Sequence, residues 1–100
     1  MAAYLLVTIT LQDDQAWREA YQKAVPAIIE SFGGEYCVRS GGHEVALLEG
    51  DGPNPDRVAL LRFPSMEAAR GFANSEAYRP FKEARMAASS ATMIAFGSDD

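Results

Sequence analysis

The apolar positions of this chain change period in a regular order. YLLVTITL (Tyr4 to Leu11) is β-branched and almost continuously apolar, as a strand covered on both faces should be. Asp13 or Asp14 is then placed to cap a helix. Trp17, Tyr21, Ala24, Val25, Ile28 and Phe32 recur at helical spacing, with Arg18, Glu19, Gln22, Lys23 and Glu30 on the other side. Pro26 withholds one backbone donor near the centre, so a kink or brief break is expected before the helix ends at Gly33-Gly34.

EYCVR reads as a short strand, Ser40-Gly41-Gly42 as a break or bend, and EVALLEG as a resumption of extended chain. DGPNPD is dense in turn formers. RVALLRF (Arg57 to Phe63) is the next strand, apolar on both parities, and Pro64-Ser65 ends it and caps a second helical region. Asn74-Ser75 and Pro80 divide that region into a short helix, a turn and a longer piece from about Arg79 to Ala88, before ATMIAFG closes the chain as a strand.

Strand, helix, strand, strand, helix, strand is the split βαβ order of an α+β, ferredoxin-like sandwich, and 100 residues make one such domain. Right-handed crossovers put both helical layers on the same face of the sheet. The strands are nevertheless apolar on both parities, which leaves an exposed apolar face for a second copy to cover, and a homodimer is expected. A monomer with greasy strands is the rival account.

Composition narrows the partners. Fourteen acidic residues against nine basic ones give a net charge of −5, with no basic field to gather nucleic acid or an anionic membrane surface. No apolar run approaches the roughly 20 residues of a membrane span, and MAAYLLVTIT lacks a basic leader region. Cys37 is the one cysteine, which excludes an internal disulfide and suits a reducing, cytoplasmic compartment.

FGGEYCVRSGG, LLEGD, DRVALLRFPS, MEAARGFANSEAYRPF and Arg85 before the last strand together resemble the domain-of-unknown-function 1330 family of the dimeric α/β-barrel superfamily. The resemblance runs from Tyr4 to Gly97 and implies the fold and a dimer. The superfamily also holds cofactor-free monooxygenases, small-ring isomerases and haem-degrading enzymes, whereas this family has no assigned reaction. It usually reads Arg-Gly-Gly where this chain has Arg39-Ser40-Gly41-Gly42. Arg39, Glu49 and Arg57 fall on its recurrent Arg-Gly-Gly, Glu-Gly and Arg features, and Tyr78 and Arg85 match its Tyr and Arg near the last strand.

Among the residues with chemistry, His43 titrates near neutrality, but no partner motif surrounds it and it reads as a surface turn histidine. One His and one Cys make no closed metal site. Gly41-Gly42 lacks the neighbours of a phosphate loop. Trp17, Asn74 and His43 are residue types used by haem-degrading relatives, yet their spacing matches no such motif; Trp17 reads as a helix anchor and Asn74 as a turn former. No cofactor and no metal are expected.

The arginines carry more. Seven of the nine basic residues are Arg, and Arg39, Arg57 and Arg62 sit on strands among apolar neighbours, where a cation needs a partner. Glu49 is the expected partner of Arg39 or Arg57, with Asp51 and Asp56 serving the strand ends. An arginine left over from such pairing can hold a carboxylate through two parallel hydrogen bonds. Tyr78 and Arg85 are seven apart, two turns along one helical face, and Tyr78 also fits plain core packing. Two functions follow. One is binding of a small carboxylic or aromatic metabolite between sheet and helices by Arg39, Glu49, Arg57, Tyr78 and Arg85, with a cofactor-free reaction open. The alternative is a non-catalytic dimeric structural or interaction module.

Overall fold

The computed structural model describes residues 2–11, 14–40, 44–51 and 54–98, with backbone alone at 11, 14–22, 40, 84, 85 and 87–90. Seven elements follow one another: β1 (Ala3–Leu11), α1 (Asp14–Ser31), β2 (Glu35–Ser40), β3 (Arg57–Phe63), α2 (Met66–Ala73), α3 (Arg79–Ala88) and β4 (Ser89–Gly97). The strands form one sheet in the order β2-β3-β1-β4, antiparallel at every pairing. This is the ferredoxin-like α+β order that the alternation of periods predicts. No helix among the described residues is long and apolar enough to cross a membrane.

Alternation along β1 separates the two faces. Ala3, Leu5, Val7 and Ile9 are buried, and the last three pack with Val25 and Ile29 of α1, Leu61 and Phe63 of β3, and Ala69 and Phe72 of α2. Tyr4, Leu6 and Thr8, on the other parity, are half-buried. The register lines up Val38, Leu60, Leu6 and Ile94 straight across all four strands of this outer face, and Val38 and Ile94 are 58% and 51% exposed. In the adjoining row Tyr4 stacks on Phe96, ring centroids 5.7 Å apart.

α1 runs through Pro26 as one continuous helix, with no break at the proline. A proline deprives one carbonyl of its donor, and Val25 and Ile29, both buried against the sheet, hold the helix on either side of that gap. Past Ser31 the chain reverses with Gly33 at φ 79° and with the Gly34 N–H donating to the Ile29 carbonyl at 2.9 Å, a helix end that favours glycine. Gly34 is required for a different reason. A Cβ there would stand 2.5 Å from the Phe63 ring and 2.8 Å from Ile29 Cγ2, both in side chains that the core holds fixed.

α2 starts as expected at Ser65, whose Oγ accepts from the Ala68 N–H at 3.1 Å. Asn74 ends it, with its backbone N–H donating to the Arg70 carbonyl. One expectation fails. Glu44 to Gly50, the EVALLEG segment, forms no strand. Ser40 already stands opposite Val58 near the start of β3, so the chain beyond it has run past the end of the neighbouring strand. An apolar sequence without a backbone partner makes no ladder. Here the Asn54 side chain takes the place of one, accepting from the Leu47 N–H and donating to the Val45 carbonyl.

Gly34→Ala is expected to destabilise the fold by about 1–3 kcal/mol through overpacking of Phe63 and Ile29, read as a lower midpoint in chemical denaturation. An unchanged midpoint contradicts the close approach of β2 to the core.

Candidate functional site

Position along β2 and β3 decides which of the predicted residues meet. Tyr36 stands opposite Leu61, Val38 opposite Leu60 and Arg39 opposite Ala59, so Cys37 is one residue too many on the β2 side. Three positions apart in a regular strand, Tyr36 and Arg39 would point to opposite faces. A bulge shifts the alternation by one. Both side chains therefore share the face of Leu61 and Ala59, which the helices cover. The Arg39 guanidinium lies over the Tyr36 ring, its carbon 4.5 Å from the ring centroid, within reach for a cation–π contact.

Arg57 belongs to the same face, opposite Ile9 and two residues before Ala59. This makes it a diagonal neighbour of Arg39 across the strand pair, where backbones are typically about 7–8 Å apart. The Arg57 side chain is half-buried and its Nε is buried.

Tyr78 sits immediately before α3 and is 0% exposed. Its carbonyl accepts from the Lys82 N–H at 2.9 Å and its own N–H donates to Ser75 Oγ at 3.2 Å, which fixes the turn between α2 and α3. The ring packs 4.5 Å from that of Phe72, which stacks on Phe63 at 5.6 Å. Burial pushes the Tyr36 phenol above its ordinary value, the Arg39 charge opposes that shift, and Tyr78 adds to it. Arg39, Tyr36 and Tyr78 thus occupy one neighbourhood that leads from the exposed edge of β2 into the core.

The remaining candidates are not brought into it. Glu49 is exposed in a bend, and among the described residues no ion pair joins it to Arg39 or Arg57. The expected pairing fails because the EVALLEG segment is not a strand, so no register sets Glu49 beside either arginine. Arg62 finds a partner that pattern reading overlooks: Glu35 stands opposite it on the outer face, Oε1 to Nη1 3.8 Å. Arg85 belongs to α3, and its side chain, like that of Trp17, lies outside the described residues, as do Gly41, Gly42 and His43. Cys37 is exposed at the bulge. Among the described residues no three His, Cys, Asp or Glu side chains come together as a metal site would require.

Tyr36 is the site residue that sequence reasoning missed. An aromatic residue beside a cation in EYCVR is a visible signal, but period-two alternation assigns the two to opposite faces, and nothing in the string announces the bulge.

The same fold recurs among solved structures. A protein of unknown function from Rhodopseudomonas palustris superposes with a TM-score of 0.79 at 18% identity, over 99% of this chain and 83% of that one. SnoaB, a cofactor-independent oxygenase from Streptomyces nogalater, gives 0.67 at 17% identity, over 99% and 94%. A protein of unknown function from Jannaschia sp., described as dimeric and ferredoxin-like, gives 0.64 at 11% identity, over 98% and 100%. No curated protein matches the sequence. A model of one family, described as a domain of unknown function, covers residues 2–97, and the chain belongs to that family, DUF1330.

Proposed function

We propose that the protein binds a small organic metabolite with a carboxylate or an aromatic ring, in the space between sheet and helices next to β2, and that it does so as a homodimer joined through the outer face of the sheet. The observation that carries the binding reading is the placing of Arg39 and Arg57 on one helix-covered face, with Arg39 stacked on Tyr36 and exposed beyond it. A planar guanidinium fork matches a carboxylate through two parallel hydrogen bonds, and cations on one face of the sheet favour an anion there. Glu49 does not occupy the fork of Arg39. Tyr78 supports the platform from the core, and Arg85, a residue of α3, completes the proposed set.

A cofactor-free reaction at this place would use Arg39 to orient the acid. The likeness to SnoaB, a cofactor-independent oxygenase, supports the scaffold's ability to house such chemistry; at 17% identity it speaks for the fold.

The dimer rests on the outer face. Its two-layer build makes the molecule a slab with Cα extents of 32 × 31 × 19 Å, whose broad side offers on the order of 1,000 Å² against the roughly 800 Å² per partner of a standard interface. The Val38, Leu60, Leu6, Ile94 row crosses that side, and solved structures of this fold from Bacteroides fragilis and Jannaschia sp. are described as dimeric.

Two experiments follow. In a thermal-shift screen of organic acids, an acid that raises the melting temperature of the wild type should raise that of Arg39→Lys far less, because lysine keeps the charge and loses the fork. Equal shifts in the two proteins contradict the binding role and leave the non-catalytic dimeric module standing. For the interface, Ile94→Asp places a carboxylate in the apolar row once per copy and should weaken association by about 3 kcal/mol or more, on the order of a hundredfold. Light scattering should then show a dimeric mass for the wild type and a monomeric one for the variant; identical masses contradict the assignment of this face.

A further inference from the structure

The bulge at Cys37 brings one aromatic ring beneath one cation, and that contact has a use beyond packing. Arg39 is exposed on an edge strand, where a guanidinium on a flexible stem samples many rotamers, and ordering it on ligand binding is unfavourable. Tyr36 is not free in the same way. It is half-buried, packs against the core and shares its surroundings with the fully buried Tyr78. A fixed ring with a cation over its face, 4.5 Å from the centroid, restricts the cation before any ligand arrives. A regular strand would have separated the two, so the arrangement depends on the extra residue.

We infer that Tyr36 is a positioning residue for Arg39: its ring is the platform that holds the guanidinium, with its N–H groups still open to solvent, to receive the carboxylate of an aromatic acid. The inference rests on the reading of Arg39 as a carboxylate-binding group. The ring, not the hydroxyl, does the holding, so Tyr36→Phe keeps the function and Tyr36→Leu, which retains bulk and apolar character, loses it.

The test uses isotopically labelled full-length protein and benzoate as the probe, with benzamide as its uncharged counterpart. In the absence of any acid, the side-chain proton resonances of Arg39 should lie upfield through the ring current in the wild type and in Tyr36→Phe, and at solvent-exposed positions in Tyr36→Leu. Benzoate, followed at the Arg39 Nε–H signal, should bind Tyr36→Phe as it binds the wild type and Tyr36→Leu about two- to fivefold more weakly, the range expected for one exposed cation–π contact. Benzamide should not perturb the signal. A merely structural tyrosine would lower the melting temperature of Tyr36→Leu without changing benzoate affinity, and that outcome overturns the inference while sparing Arg39. Weak binding by Tyr36→Phe overturns it too, because the hydroxyl would then be the active group. Absence of any benzoate effect at Arg39 in the wild type overturns the inference together with the reading beneath it.

Discussion

A four-stranded sheet with all its helices on one side must dispose of the other side, and none of the elements among the described residues covers it. The helix-covered face takes Ala3, Leu5, Val7 and Ile9, and the aromatic stack of Phe63, Phe72 and Tyr78 grows from the same core. The opposite parity of the same strand, Tyr4 and Leu6, continues into Phe96 and Ile94, with no helix among the described residues above them. Burying such a row in a second copy is the least demanding solution for a small domain, since a contiguous apolar patch is otherwise left facing water. The proposed dimer and the proposed site thus divide the sheet between them, association on one face and ligand on the other.

That division gives the bulge in β2 its importance. A strand edge has one register that satisfies its ladder, and a one-residue shift carries every following side chain to the other face. With Cys37 inserted, Arg39 turns toward the helices beside Tyr36 and diagonal to Arg57, and Val38 turns outward into the apolar row. A β2 without the bulge would have placed Arg39 in the apolar outer face and left Val38 beneath the helices. One extra residue therefore serves both faces: it keeps a charge out of the proposed interface and delivers it to the proposed site.

Most of the fold was legible because it rests on period. RVALLRF became β3 over the predicted residues, α3 ran from Arg79 to Ala88 as the proline and turn signals indicated, and β4 needed only two further residues at its start. What failed depended on partners that a linear pattern does not contain. EVALLEG has the composition of a strand, but β3 has ended by the time it begins. At the site, Arg39 and Arg57 were legible as strand cations, whereas Tyr78, read onto one helical face with Arg85, stands in the turn before α3. The Arg62–Glu35 pair and the Tyr36 platform were not legible, because cross-strand register and a bulge decide them.

The division of the sheet into a dimerising face and a ligand face can be tested on the protein in solution by small-angle X-ray scattering across a dilution series. One chain has a Cα radius of gyration of 13.4 Å, whereas two packed face to face should measure about 16–17 Å by the size scaling of compact proteins. The account predicts the larger value, holding on dilution to low micromolar concentration. A radius that stays near that of a single chain at all concentrations would contradict it, since the apolar row across β2, β3, β1 and β4 would then face water.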